Sequence, residues 1–196
     1  MILKTDEGEG TTPLHPDEAQ DLIPTHITTL EELNEWEQVN IVRGKRWTFS
    51  RLKGDILSPA FVRALHKRMF DETWEWAGQY RTTDKNIGID WREVSVAVHK
   101  LCDDVSYWLD KHVYEVEEAA ARFHYQLAHI HPFPNGNGRH ARLMTDTLLR
   151  SRGYSPFRWG RDDPTSETVR QEYIAALHSA DCHDFKPLFR FLGVQP

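Results

Sequence analysis

The sequence predicts an all-α domain interrupted by one short non-helical segment. After residue 26, apolar residues recur at three- and four-residue spacing over most of the chain, which is typical of amphipathic helices. Helix-capping residues stand at the start of several of these stretches. Between about 80 and 92 the spacing is lost and glycines appear, which marks the non-helical segment. No apolar run approaches the roughly 18 residues that a membrane-spanning helix needs.

The N-terminal residues differ from the rest in pattern. Residues 1–25 carry Gly, Pro, Asp and Glu without periodicity, which predicts an extended arm rather than a domain. The remainder, 26–196, is long enough to bury a core and is predicted to form one domain. Within it we distinguish an N-terminal helical region, 26–57, from a core, 58–196.

Capping residues mark the first two predicted helices. Thr29 followed by Glu32 gives a capping-box pattern, and Ser58 followed by Pro59 places an N-cap before a proline at the first helical position. The apolar positions are Leu30, Leu33, Trp36 and Val39 or Asn40 in the first helix, and Phe61, Leu65 and Met69 in the second. Each helix is therefore expected to bury one face.

Further helices are predicted after the break at 80–92, which we interpret as a short extended or hairpin segment. They begin at Val94, at Val116, after Gly138, near Thr165 or Ser166, and in the C-terminal stretch "DFKPLFRFL". Pro132 is expected to end the helix that starts at Val116, because proline cannot continue it.

Charge and cysteine content narrow the class of protein. The net charge of −6 argues against a chain that coats nucleic acid or an anionic membrane, so direct nucleic-acid binding is not expected. The N-terminus lacks the apolar segment of a signal peptide. Cys102 and Cys182 are far apart and lack metal-ligand spacing, so we expect reduced thiols in a cytoplasmic protein, with a single disulfide as the alternative.

The stretch "HPFPNGNGRHAR", 131–142, combines features of an anion site. Gly136 and Gly138 allow a tight turn and close approach of a ligand. If a helix begins at about Arg139, its first N–H groups and positive dipole end face that turn. Arg139 and Arg142 are neighbours on that helix, where both can reach phosphate oxygens. The alternative is a glycine turn followed by a solvent-exposed arginine helix.

One histidine and the local charge favour the anion site. Six arginines and a single acid, Asp146, lie between His131 and Arg161, although the whole chain is acidic. His131 ends a predicted helix, and imidazole, with an ordinary pKa of about 6.5, can take a proton from a hydroxyl. A base beside a phosphate cradle predicts transfer of a phosphorus-centred group to an alcohol.

The same stretch resembles the signature of the Fic (Fic/Doc) family: His, any residue, Phe, any residue, Asp or Glu, Gly-Asn-Gly-Arg, two residues, Arg. The matching positions are His131, Phe133, Gly136, Asn137, Gly138, Arg139 and Arg142. "WAGQYR", 76–81, is similar to the segment leading into the family's β-hairpin flap, and the N-terminal part is similar to the bacterial subgroup called mobile mystery protein B. The resemblance implies a Fic-like helical domain with a small β-hairpin flap.

The resemblance also implies an activity, protein adenylylation, in which AMP moves from ATP to a Ser, Thr or Tyr hydroxyl with Mg²⁺ or Mn²⁺ as cofactor. His131 would be the general base and Phe133 an anchor in the core. The phosphate cradle would consist of Gly136, Asn137, Gly138, Arg139 and Arg142. The flap would pair with a target protein by strand addition, through Thr82, Thr83, Asn86, Ile87, Gly88 and Ile89. An antitoxin or other regulatory protein is a further candidate partner.

One motif position departs from the family pattern. Asn135 stands where the family carries an acidic residue that helps hold Mg²⁺. An amide oxygen can bind Mg²⁺ but brings no charge, so weak metal binding at Asn135 is expected. The departure leaves open slower AMP transfer, a different donor, or a nucleotide- or partner-binding protein with weak or lost catalysis. Doc-like kinase chemistry is a further alternative, although that branch typically carries Lys where this sequence has Gly138.

Many family members are restrained by a helix that carries Ser or Thr, three residues, Glu, and Gly or Asn. Thr28 and Glu32 match the first half of this pattern, and Glu37 lies further along the same predicted helix. Glu32 and Glu37 are therefore candidate inhibitory residues, and an inhibitory glutamate is expected to reach Arg142. Capping and packing are the simpler interpretation of this helix.

Overall fold

A computed structural model describes residues 16–160 and 167–195. In these two ranges the chain is helical and contains no β-strand; an isolated antiparallel bridge joins Leu22 to Trp74. The elements are α1 (Pro16–Gln20), α2 (Leu30–Phe49), α3 (Pro59–Phe70), a 3-10 helix (Trp91–Glu93), α4 (Val94–Asp110), α5 (Val116–Ile130), α6 (Asn137–Ser151), α7 (Glu167–Asp181) and α8 (Lys186–Leu192). The predicted all-α class is confirmed.

The first two long helices begin at the predicted caps. The Thr29 hydroxyl accepts from the Glu32 N–H, and the Glu32 carboxylate accepts from the Thr29 N–H at 3.0 Å, so the capping box is complete. The Ser58 hydroxyl accepts from the N–H of Phe61, and Pro59 occupies the first helical position. At the start of α2 two backbone N–H groups thus gain acceptors. At the start of α3 one gains an acceptor and Pro59 has none to satisfy.

The core lies among α3, α4, α5 and α6. Helix α4 packs on α5, α5 packs on α6, and α3 contacts both α4 and α6. The fully buried residues of this core include Leu65, Val98, Phe123 and Leu148. Because α5 and α6 are neighbours with buried faces, the short connection between them, 131–136, is held at both ends by packed helices.

The predicted β-hairpin at 80–92 is wrong in its secondary structure. Residues 82–90, which we call the flap loop, are irregular and lead into the 3-10 helix. The Arg81 guanidinium donates to the carbonyls of Thr83 and Ile89, and the Asp84 carboxylate accepts from the N–H of Trp91. Side chains thus satisfy backbone groups that an opposite strand would satisfy in a hairpin.

The N-terminal arm differs from its prediction where it is described. Residues 16–20 are helical, and the Ile23 N–H donates to the Thr73 carbonyl at 2.9 Å. The Lys85 ammonium, in the flap loop, pairs with the Glu18 carboxylate. Backbone pairing and this ion pair therefore attach 16–25 to the domain, whereas 1–15 lie outside the described residues.

Other predictions concern single residues. Cys102 is buried, Cys182 is exposed, and both are free thiols. The predicted cap at Thr165 or Ser166 lies outside the described residues, and α7 is described from Glu167 onward. None of the described helices is long and apolar enough to cross a membrane.

Candidate active site

His131 is the C-cap of α5 and adopts a left-handed backbone conformation. Its φ is 54° and its ψ is 61°, values that crowd the β-carbon against the backbone in any residue other than glycine. Its N–H donates to the Leu127 carbonyl, so it closes the helix immediately before Pro132, as predicted. The left-handed turn directs the chain from α5 toward α6.

The imidazole of His131 is held in its neutral form. Burial first, and then the cations of Arg81 and Lys85, lower its pKa to about 4 against the opposing effect of a hydrogen bond with the Ala128 carbonyl. The residue is 8% exposed. A neutral imidazole that donates from one ring nitrogen carries a lone pair on the other, so His131 has the protonation state of a base at neutral pH.

Helix α6 begins two residues earlier than predicted. Gly136, with φ 76°, is its N-cap, and the His140 N–H is bonded to the Gly136 carbonyl at 2.9 Å. By helix geometry the amides of 137–139 have no acceptor within the helix, so they are available to a ligand at this N-terminus. A β-carbon at Gly136 would lie 2.6 Å from the Phe70 ring, whereas one at Gly138 would meet nothing within 4 Å.

Asn137 stabilises the loop through its side chain. Its carbonyl oxygen accepts from the Phe133 N–H and its amide donates to the Phe133 carbonyl, both at 2.8 Å. The residue is 3% exposed, so the part of Asn137 that suits a phosphate is its backbone N–H. Phe133 is fully buried and stacks on the His66 ring at 3.7 Å between centroids, as expected of a core anchor.

The two motif arginines have different neighbours. One Arg139 nitrogen donates to the Glu37 carboxylate at 2.5 Å, and its guanidinium carbon lies 5.1 Å from the centre of the Phe70 ring. The guanidinium of Arg142 lies 5.7 Å from the centre of the Tyr173 ring. Arg139 is thus held by a glutamate of α2, while Arg142 faces α7.

A sequence model of the Fic/DOC family matches residues 56–149, the range that holds α3 to α5, all but the last two residues of α6, and the whole motif. The chain contains a Fic domain. The curated protein adenylyltransferase fic-1 of Caenorhabditis elegans is 33% identical over 120 residues, which cover 60% of this chain and 22% of that protein. This chain therefore matches about a fifth of the length of that relative.

Solved structures share the fold. A Caenorhabditis elegans Fic-1 structure matches with a TM-score of 0.65 at 27% identity, covering 89% of this chain and 51% of that one. The N-terminal Fic domain of a VirB-translocated Bep effector protein from Bartonella quintana, solved with bound ADP, matches with a TM-score of 0.67 at 19% identity over 86% of each chain. The curated relative is an animal protein and gives no support to a bacterial origin, so that origin and the mobile mystery protein B subgroup stay predictions.

His66 is a residue of this Fic domain that sequence reasoning missed. Its Nδ1 accepts from the Gly78 N–H at 3.0 Å, so its Nε2 carries the proton and donates to the Asn135 carbonyl at 3.1 Å. Burial keeps the pKa of His66 well below its usual range. The ring therefore joins α3 to the motif loop, but the sequence shows only one histidine within an apolar helix.

Asn135 does not provide a ready metal ligand. Its side-chain oxygen accepts from the Gly136 N–H at 2.5 Å, within the turn. Within the described residues, no group of three or more His, Cys, Asp or Glu side chains is placed to hold a metal ion. A Mg²⁺ site in a protein normally includes one or two carboxylates beside the substrate phosphates, which this arrangement does not supply.

The two candidate inhibitory glutamates have different positions in the Fic domain. Glu32 is exposed, and its carboxylate accepts from Thr28 and Thr29, which lowers its pKa; the capping interpretation is confirmed for it. Glu37 is buried and also accepts from the Trp74 indole N–H at 2.7 Å. An inhibitory glutamate was expected to reach Arg142, whereas the ion-pair partner of Glu37 is Arg139.

The flap loop contacts the histidine. A β-carbon added to Gly88 would lie 2.7 Å from the β-carbon of His131 and 3.0 Å from an Arg81 nitrogen. The predicted target-binding positions divide into exposed residues and half-buried ones: Thr82, Thr83, Asn86 and Gly88 in the first group, Ile87 and Ile89 in the second. The loop therefore places exposed backbone directly beside the candidate base.

Proposed function

We propose that this Fic domain is a protein adenylyltransferase, which moves AMP from ATP to a Ser, Thr or Tyr hydroxyl of a target protein. The observation that carries the proposal is the junction of α5 and α6, where a neutral, buried His131 precedes a helix N-terminus formed by Gly136 to Arg139. The name of the 33% identical relative agrees with this chemistry.

The proposed reaction uses His131 as a general base. The target hydroxyl gives its proton to the imidazole while its oxygen bonds to the α-phosphorus of ATP. The bond from the α-phosphorus to the bridging oxygen of the β-phosphate breaks, and pyrophosphate leaves. A pKa of about 4 makes His131 a weak base in the closed loop, but one that is neutral throughout the physiological range.

The N-terminus of α6 would bind the phosphates. The N–H groups of Asn137, Gly138 and Arg139 and the helix dipole favour negative charge there, and Gly136 shapes the turn that precedes them. The open space at Gly138 allows a ligand to approach the backbone. Arg139 and Arg142 would add charge-assisted hydrogen bonds once Arg139 leaves Glu37.

We also propose that the reaction needs a metal ion, which would be held by ATP rather than by protein side chains. ATP brings phosphate oxygens that bind Mg²⁺ or Mn²⁺, and Asn135 could contribute at most a neutral oxygen. Since that oxygen is bonded to the Gly136 N–H, the ion would be held mainly by the nucleotide. We therefore expect the protein to bind the metal ion more weakly than it would with an acidic residue at position 135.

Glu37 would restrain the enzyme. Its carboxylate neutralises Arg139, one of the two arginines proposed to bind ATP phosphates, and it is anchored by Trp74. A nucleotide phosphate would have to compete with this carboxylate for the guanidinium. With this ion pair formed, the domain would be in a restrained state.

Partners and location remain predictions. We propose that the target protein binds along the flap loop, through backbone that Thr82 to Ile89 present beside His131. An antitoxin or regulatory partner and a cytoplasmic location are retained as expectations from the sequence.

The proposal is tested by incubating the protein, with cell lysate as target source, with ATP labelled at the α-phosphate and with Mg²⁺ or Mn²⁺. Label on protein that falls by about 10²-fold or more in His131→Ala supports AMP transfer. An Asn135→Asp variant reports whether the missing carboxylate limits the rate. No label from any variant with either metal would contradict the proposal.

Asn135 also favours a second candidate, a Fic-fold protein that binds nucleotide or a partner with weak or lost catalysis, or that uses a different donor. A Doc-like kinase belongs to the same group of alternatives. Mass spectrometry of a modified protein separates AMP from phosphate, and ATP binding without any modification would identify the binding protein.

A further inference from the structure

Arg81 is a buried cation whose neighbours are mainly carbonyl groups. Its side chain has no exposed surface, and the nearest carboxylate, Asp84, lies 3.8 Å away and is 66% exposed. Its guanidinium donates instead to the backbone oxygens of Thr83, Ile89, Ile130 and His131. A buried charge requires such compensation, so this set of carbonyls is what keeps Arg81 in place.

Arg81 also caps the C-terminus of α5 through three hydrogen bonds. The Arg81 Nε donates to the His131 carbonyl at 2.7 Å, a terminal nitrogen donates to that of Ile130 at 3.4 Å, and the Arg81 backbone N–H donates to that of Pro132 at 3.0 Å. Helix C-termini leave carbonyls without partners and carry negative dipole charge. Arg81 provides hydrogen bonds to these carbonyls and a positive charge beside the dipole. It thereby stabilises the left-handed conformation of His131.

The same guanidinium holds the flap loop near both ends. It donates to the Thr83 carbonyl at 2.9 Å on one side of the loop and to the Ile89 carbonyl on the other. Gly88, between these points, is packed against both Arg81 and His131. One planar group therefore sets the position of the loop relative to the histidine.

We propose that Arg81 is a positioning residue. It fixes the backbone of His131 and joins it to the flap loop, along which the target protein is proposed to bind. The inference rests on the proposed function for its effect on transfer, but the placement of His131 can be measured without any activity. The Arg81 cation also lowers the pKa of His131, after burial, in agreement with their proximity.

Two variants separate this role from simple stabilisation of the fold. Arg81→Lys retains the charge, but an ammonium on a flexible stem cannot bridge four carbonyls in one plane. Arg63→Lys is the matched control, because Arg63 also donates its Nε to a backbone carbonyl, that of Gly78, at 2.9 Å, and its guanidinium lies over the ring of Tyr80, outside the motif. Gly88→Ala is a second probe from the loop side of the same contact, since its β-carbon would lie 2.7 Å from the His131 β-carbon and 3.0 Å from an Arg81 nitrogen.

In the transfer assay we expect Arg81→Lys to lower kcat on the order of 10²-fold, as misplacement by about 1 Å does, while ATP affinity stays within about twofold. ATP affinity is expected to be spared because the Arg81 side chain donates to the flap loop and to the end of α5, whereas the proposed phosphate cradle lies at the start of α6. Arg63→Lys should change neither quantity. Equal losses of kcat in both arginine variants, or a parallel loss of ATP affinity, would overturn the inference.

The position of the His131 ring can be followed by NMR without any catalysis, which tests the role of Arg81 independently of AMP transfer. The ring resonance of His131, identified by its absence in His131→Ala, is followed by NMR in the folded variants. It is expected to shift in Arg81→Lys and in Gly88→Ala but not in Arg63→Lys. An unshifted resonance in Arg81→Lys rejects the positioning role even if AMP transfer is established, and a shift supports it even if AMP transfer fails.

Discussion

Glu37 connects residues that lie far apart in the sequence. Its two carboxylate oxygens accept from Trp74 and from Arg139, so one side chain of α2 links the segment after α3 to the first turn of α6. Arg139 is 26% exposed and Glu37 is 5% exposed at the side chain, which places the ion pair at the edge of the core. A pair of this kind can be weakened without removing a core residue.

Replacing Glu37 by Gln tests whether this pair restrains the site. The amide oxygen can still accept from Trp74, but the charge on Arg139 is no longer neutralised. If the pair contributes about 1 kcal/mol, AMP transfer should rise about fivefold. Glu35→Gln, an exposed position on the same helix, is the control. Equal rates in wild type and Glu37→Gln would show that Glu37 is structural only.

Gly136 is expected to be indispensable for a reason that Gly138 does not share. Gly136→Ala places a β-carbon in a left-handed residue, which costs about 1–2 kcal/mol, and sets it 2.6 Å from the Phe70 ring. We expect a loss of about 2 kcal/mol or more of unfolding free energy together with weakened ATP binding.

Gly138→Ala is the comparison for that experiment. Its β-carbon meets no protein atom within 4 Å, and alanine favours a helix more than glycine does. Its unfolding free energy in urea should equal or exceed that of the wild type, while ATP affinity falls if the nucleotide lies on the backbone there. A destabilised Gly138→Ala would contradict this account of the turn.

At the scale of elements, local patterns predicted the helices well. The caps at Thr29 and Ser58 and the stop before Pro132 are where they were expected, because each is decided by residues within one turn. The start of α6 was misplaced by two residues, since Gly136 and Gly138 look alike locally and the close approach of Phe70 to Gly136 involves a residue distant in sequence.

The flap loop could not be predicted for a similar reason. Its irregular form is determined by Arg81, whose partners include Ile130 and His131, about 50 residues away. His66 contacts Asn135 and Glu37 contacts Arg139 across 69 and 102 residues of sequence, respectively. The motif thus identified the residues of the candidate site, and tertiary packing decided which of them touch.

The ion pair between Glu18 and Lys85 attaches α1 to the flap loop. Glu18→Gln leaves the Lys85 ammonium, whose side chain is 5% exposed, without its charged partner. An unpaired buried charge is unfavourable, so the loop should open to hydrate it. Hydrogen exchange of the amides in 82–90 should become faster, while α5 is unchanged.

Glu31→Gln, at an exposed site of α2, provides the control for that exchange experiment. If 82–90 exchange at the same rate in Glu18→Gln and in the control, the ion pair does not hold the loop. Faster exchange throughout the domain would show general destabilisation rather than local opening.

The whole molecule contains several buried neutral histidines. Burial lowers the pKa of His131 to about 4, of His124 and His140 to about 3, and of His66 well below its usual range. In the unfolded chain each would titrate at about 6.5. Below that pH the unfolded chain binds protons that the folded domain excludes, so acid favours unfolding.

The stability that these groups provide is complete above about pH 6.5 and is lost as the pH falls toward the folded pKa values, by at most about 1.4 kcal/mol per pH unit for each histidine. Urea unfolding at pH 7.5 and at pH 5.5 should therefore show a large decrease in the free energy of unfolding. His124→Gln removes one titrating group and should reduce that decrease by about 1 kcal/mol, whatever its own stability. An identical decrease in His124→Gln and wild type would show that burial of this ring does not control the acid sensitivity of the domain.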